Sequence, residues 1–170
     1  YELNDRRNFE RSTMAHNTVE INNKSSSEVW SSFRVAKRAY PIDLNINKIH
    51  SKLLKIQCSH DGYQKIIHND IKHIRSWDIE PNCIRINDRV TGQYKKAISR
   101  FILDPFVEII EINQNEFDLY NGSVELKFLI KKGECQLVPW KCTRKFGSLE
   151  STRCFEINII NGENIVEIIS

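Results

Sequence analysis

Apolar residues recur at every second position along most of this chain, and that period of two constrains its fold more than any other feature. Val19 and Ile21 alternate with Thr18 and Glu20, and Val29, Phe33 and Val35 form a second extended run. Ile71 to Ile79 alternates in a broken way, and Ile84, Ile86 and Val90 follow Pro81-Asn82. Phe101-Ile102-Leu103, Val107 to Ile112, Phe117 to Tyr120, Val124 to Ile130 and Ile157 to Ile169 complete the series. Ile, Val and Phe are abundant, as a pleated, half-buried surface favours. One short helix is expected over Asp43 to Leu54, where the pattern is poor.

Turn signals sit between these runs. Asn121-Gly122 separates Phe117–Tyr120 from Val124–Phe128, a hairpin signature because both turn positions tolerate positive φ. Asn161-Gly162-Glu163-Asn164 separates two further apolar runs, and Lys131-Lys132-Gly133 marks another break. Many short strands with frequent turns predict an all-β fold, a multi-stranded antiparallel β-sandwich of jelly-roll type. At 170 residues it forms a single domain over 1–170.

Composition narrows the function classes without naming one. Hydrophobic residues are 40% and charged residues 28%, the balance of a globular domain. No apolar run approaches the roughly 20 residues of a membrane-spanning helix, and Phe106 to Ile112 is interrupted by Glu108 and Glu111. A net charge of +3 is too small an excess to argue for nucleic acid. Cys58, Cys83, Cys135, Cys142 and Cys154 contain no C-x-x-C pair, so they read first as buried thiols, with one disulfide still permitted. The opening Tyr1-Glu2-Leu3-Asn4-Asp5 has no initiator Met, basic segment or apolar segment; it does not read as a signal peptide, and the chain is expected to be cut from a longer protein.

Two clusters carry residue types suited to chemistry. His16 and Asn17 stand just before a strand, where an imidazole can move protons near neutral pH and an amide can donate to a developing anion. Taken alone, such a histidine is more often a hydrogen-bonded structural residue. His60-Asp61-Gly62-Tyr63 suggests a turn with His60 and Tyr63 at its ends. His73 and Arg75 share one face if 71–77 is a strand, a face that either binds an anion or is simply solvated, the latter favoured. His16 and His60 can also converge on a zinc ion with Glu28 or Asp43 as a third ligand, although their separation in sequence does not itself support it. Trp30, Trp77, Trp140 and Tyr63 offer sugar-stacking faces, with core packing the commoner role.

Arg11-Ser12-Thr13 leading into His16-Asn17-Thr18-Val19, then Glu28-Val29-Trp30 and Phe33-Arg34, resembles the C-terminal domain of the heparinase II/III family of polysaccharide lyases. His60-Asp61-Gly62-Tyr63, His73-Ile74-Arg75, Phe146-Gly147 and Glu150-Ser151 follow in family order. The resemblance implies a sandwich that in the parent protein packs against an N-terminal α/α toroid, with the active-site cleft between them. It implies cleavage of an acidic, uronate-containing polysaccharide by β-elimination in a bacterial protein of the periplasm or cell exterior. His16 is the position that matches the sandwich histidine thought to enter the cleft, as base, acid or charge neutraliser. Asn17, Arg34, His60 and Tyr63 become candidates for substrate binding or site support, and His16 and His60 for the ligands of a structural zinc that some relatives hold. A different class, a non-catalytic carbohydrate-binding or structural sandwich, is the alternative.

Overall fold

In the computed structural model, which describes residues 5–30, 34–145 and 148–170, the alternation resolves into antiparallel strands. A short helix α1 (Asp5–Glu10) precedes β1 (Val19–Ile21), and a small hairpin follows, β2 (Val29–Trp30) with β3 (Arg34–Val35). Then come β4 (Pro41–His50), β5 (Leu53–His60), the short helix α2 (Gly62–Ile66), β6 (Lys72–Glu80), β7 (Cys83–Thr91) and β8 (Ala97–Ile102). The remaining strands are β9 (Glu108–Asn113), β10 (Glu116–Asn121), β11 (Val124–Lys132), β12 (Glu134–Cys142), β13 (Glu150–Asn158) and β14 (Glu163–Ile169). β1-β8-β13-β12 form one sheet and β4-β5-β6-β7-β14-β11-β10-β9 a second, larger one. The expected antiparallel sandwich is the fold. Phe33 and Phe146-Gly147 lie outside the described residues.

The two sheets meet over aromatic side chains. Phe128 of the larger sheet stacks on Phe155 of the smaller at 4.4 Å and 8°, and Phe117 tilts against Phe155 at 4.7 Å. Such ring pairs add roughly 0.5–1.5 kcal/mol beyond the area they bury. A second apolar cluster, with Val19, Ile21, Tyr63, Ile71, Val90 and Ala97, fills the other end. Polar residues lie between the two. On β7 the inward phase runs Ile86, Asp88, Val90, and on β8 it runs Ala97, Ser99, Phe101. Asp88, Ser99 and His73 of β6 are all buried, so a polar belt divides the core.

Three local expectations are corrected. Residues 43–54 are not a helix but most of the β4–β5 hairpin. β4 is the edge strand of its sheet and stays largely exposed, and a register shift between Ile42 and Asn45, with Asp43 at φ 55°, blurs its alternation. The β10–β11 turn is Gly122-Ser123, because Asn121 pairs with Val124; Gly122, at φ 61°, takes the first central position that a type II′ turn reserves for glycine. β12, not recognised as a strand, contains Pro139, which is tolerated because β12 lies at the edge of the smaller sheet. At Asn161-Gly162 the turn falls where expected, with φ of 51° and 78° and Ile160 bridging Glu163.

Candidate functional site

The segment carrying His16 is short, irregular and held from several sides. A single 3-10 turn over Thr13–Ala15 ends at His16, whose backbone is already extended. Thr13 N donates to Ser25 Oγ (3.1 Å), and Thr13 Oγ1 accepts from Ser26 N (2.8 Å). The Asn17 carbonyl accepts from Arg75 Nη1 (2.6 Å), while its side-chain Oδ1 accepts from Ile102 N (2.7 Å). The Thr18 carbonyl accepts from Arg100 N (3.0 Å), which starts the β1–β8 ladder. The backbone is therefore anchored while the His16 and Asn17 side chains stay exposed. Asn17 commits the oxygen of its amide to this anchoring, leaving the NH2 as the end suited to an anion.

His16 borders a cleft of about 340 Å³ formed with Phe9 and Glu10 of α1, Lys141 and Cys142 of β12, and Leu149. The cleft shares Phe9, Lys141 and Leu149 with an apolar groove of about 610 Å³ that adds Met14 and Trp140. The Arg6 hydrogen bond to Glu10 (2.7 Å) holds the Glu10 carboxyl below its ordinary range, and Thr143 Oγ1 donates to the same oxygen. The sequence reading missed Glu10, Lys141 and Cys142, and no local pattern marks them; only the fold brings β12 beside α1.

His73 and Arg75 do share a face of β6, but not a solvated one. The anion they bind is Asp88, fully buried on the neighbouring strand. Arg75 Nε and Nη2 donate to the two carboxylate oxygens (2.6 and 2.8 Å), Ser99 Oγ donates from the opposite sheet (2.7 Å), and His73 Nε2 lies 2.7 Å away. Burial pushes the Asp88 carboxyl up, yet Arg75 and His73 outweigh it and hold the group well below the usual carboxylate range. From Asp88 a short chain of ring contacts leads outward through His73 to His60. His73 Nε2 faces Asp88, its Nδ1 lies 3.4 Å from His60 Nε2, and His60 Nδ1 accepts from Gly62 N (3.3 Å). Burial, then the charge of His73, lowers the His60 pKa to about 4.

The other expected residues fall in different surroundings. Tyr63 lies on α2, a short helix where a turn was expected, and is completely buried; its hydroxyl donates to the Val19 carbonyl and burial pushes its pKa up. It is tied to β1 and does not line the cleft beside His16. Arg34 is exposed on the β2–β3 hairpin, with its guanidinium 4.8 Å above the half-exposed Trp30 ring. The zinc reading does not fit: both His60 ring nitrogens are engaged, Asp43 is bound by Lys72 and Ser59, and His16 borders a separate cleft. Among the described residues no three His, Cys, Asp or Glu side chains gather as metal ligands. All five cysteines are unpaired, and burial pushes Cys135 and Cys154 up to about 12.

The antiparallel sandwich thus presents the exposed His16 imidazole on a braced segment beside an open cleft. The chain matches the family described as heparinase II/III-like, C-terminal, over residues 1–144, and it belongs to that family. Its fold is similar to that of a heparan sulfate lyase HepC from Pedobacter heparinus, at TM-score 0.72 and 14% identity, covering 99% of this chain and 26% of that one. It is also similar to a heparinase III gene product, at TM-score 0.73 and 17% identity, covering 97% of this chain and 25% of that one. The chain thus spans about a quarter of the length of these structures. No curated protein matches it. Among the described residues no helix is long and apolar enough to cross a membrane.

Proposed function

We propose that this domain completes the active-site cleft of a bacterial polysaccharide lyase that cleaves a uronate-containing acidic polysaccharide by β-elimination. The observation that carries this reading is the exposed His16 on a segment tied to both sheets, in a chain of the heparinase II/III-like family. The C5 proton of a uronate is weakly acidic until its carboxylate charge is masked, so the reaction needs a preorganised donor or cation, a base at C5 and an acid for the C4 oxygen. His16 supplies one of these functions at the cleft wall. The remaining groups come from an N-terminal α/α toroid of the same protein, and the domain by itself is inactive. Asn17 and Arg34 assist in holding the polymer, and His60 and Tyr63 act from behind the site. The protein works in the periplasm or outside the cell, and no step is assigned to a metal.

The test uses the full-length protein. Elimination creates a C4–C5 double bond, followed by its ultraviolet absorbance on heparan sulfate, chondroitin sulfate, alginate and bacterial capsule polymers. His16→Ala is expected to lower kcat by about 10²-fold or more, in the range of acid–base contributions. An unaffected rate removes His16 from the site, and silence from folded protein across the panel favours a non-catalytic sandwich.

A further inference from the structure

We propose that Arg75 is a positioning residue for His16, held in place by Asp88 in the sandwich interior; the inference rests on the reading of His16 given above. The guanidinium is a rigid plane with five donors in fixed directions. Nε and Nη2 grip the two oxygens of Asp88, which leaves Nη1 aimed at the Asn17 carbonyl at 2.6 Å. Asp88 cannot swing, because Ser99 Oγ from the facing sheet and His73 Nε2 from β6 hold it at 2.7 Å each. The direction of Nη1 is therefore set by the interior of the protein. Its acceptor belongs to the residue directly after His16, and that same residue is gripped from the smaller sheet by Ile102 N.

A purely stabilising core has no need of this arrangement. A buried ion pair is often no better for stability than apolar side chains of similar volume. What the pair adds is direction: a charged arm that leaves the core and ends one peptide bond from the imidazole. Arg75 itself is nearly buried, with 11% of its side chain exposed, so it acts through the backbone rather than on the polymer. A lysine here keeps a positive charge but has a single point of attachment and cannot serve Asp88 and Asn17 at once.

The test is made in the full-length protein, on whichever of heparan sulfate, chondroitin sulfate or alginate the wild type cleaves fastest. Arg75→Lys is compared with Arg75→Met/Asp88→Leu, which removes the arm without stranding a buried charge, and with Ile130→Val, a core change remote from the segment. Both arm variants are expected to lose about 10-fold or more in kcat, since misplacement by about 1 Å can cost about 10²-fold. KM should stay within about twofold, because a group active only through His16 positioning leaves ground-state binding in place. Added to His16→Ala, Arg75→Lys should cost nothing further, because coupled residues are not additive. Amide exchange over residues 14–18 should accelerate in both arm variants and not in Ile130→Val. Retained kcat, a full multiplicative loss on top of His16→Ala, or unchanged exchange over 14–18 overturns the inference. Full activity in His16→Ala overturns the reading beneath it, and the inference with it.

Discussion

Two ion pairs cross neighbouring strands of the larger sheet, three residues apart on β6 and on opposite faces. Arg75 pairs with Asp88 of β7 on the inner face, and Asp78 pairs with Lys55 of β5 on the outer one, at 3.0 Å. Both join register partners, and both unite a carboxylate with a cation. On the inner face every carboxylate lone pair in reach is used, and the cation extends on to the His16 segment. On the outer face Lys55 is about half exposed, and water competes for each partner. The same chemistry thus serves as a directed strut inside and as a solvated contact outside. The difference lies in how completely each charge is surrounded, not in the residues chosen.

The largest effect expected from that contrast follows removal of Asp88. Asp88→Ala strands the Arg75 guanidinium and removes the acceptor of His73 and Ser99, and losing one partner of a buried pair costs about 3–5 kcal/mol. A drop of that size in urea-unfolding free energy is the expected result. Arg75→Met/Asp88→Leu should recover most of it. Should Asp88→Ala cost under about 1 kcal/mol, the inner pair would be no different in kind from the outer one.

A pH titration of stability reads the same belt at its outer end. His60 has a pKa lowered from 6.5 to about 4, chiefly by burial and next by His73. The folded protein therefore binds this proton less readily than the unfolded chain does. The stability that neutral His60 contributes is complete above pH 6.5 and is lost progressively as pH falls from 6.5 to about 4. At about 1.4 kcal/mol per unit, the loss across that window is on the order of 3–4 kcal/mol. His60→Gln cannot titrate, so the difference between its unfolding profile and the wild-type profile isolates this effect from the carboxylates. Parallel profiles across that window would show that His60 is accessible to protons without cost.

Much of the fold was legible because burial on one face writes itself into every second residue. β7, β10 and β11 are of this kind, and glycine supplies the turns between several strands. β4 and β12 were less legible because β4 is exposed along nearly its whole length and its register shifts, and β12 is interrupted in sequence by Pro139. The site was legible only in its exposed part. His16 and Asn17 stand out by chemistry and by the family pattern. Asp88 carried a usable signal: it occupies the phase of Ile84, Ile86 and Val90, where an acid must have a partner or unfold the strand. Its partner lies on the next strand, and the pairing depends on a register that spacing alone does not reveal. The solvated face expected for His73 and Arg75 failed for the same reason, because which face of β6 is covered depends on the sheet opposite. Lys141 and Cys142 reach His16 only through the order of strands in the smaller sheet.

The smallest effect tests the outer side of the comparison. Lys55→Met removes the cation from the Lys55–Asp78 pair and leaves an exposed strand position that an unbranched apolar side chain can occupy. Exposed pairs usually contribute about 0–1 kcal/mol, since each partner recovers water when the other is lost and two long side chains regain their freedom. Asp78 is also the register partner of Arg85, so it keeps a cation opposite it on the other side. A change in unfolding free energy below about 1 kcal/mol is therefore expected, and it should shrink further at about 1 M salt, where charges are screened over about 3 Å. Asp88→Ala should keep nearly its full cost at that salt, because no ion reaches a carboxylate with no exposed surface. Equal salt sensitivity of the two variants would mean that water enters the belt, and that Arg75 is not fixed firmly enough to set the direction of its third donor.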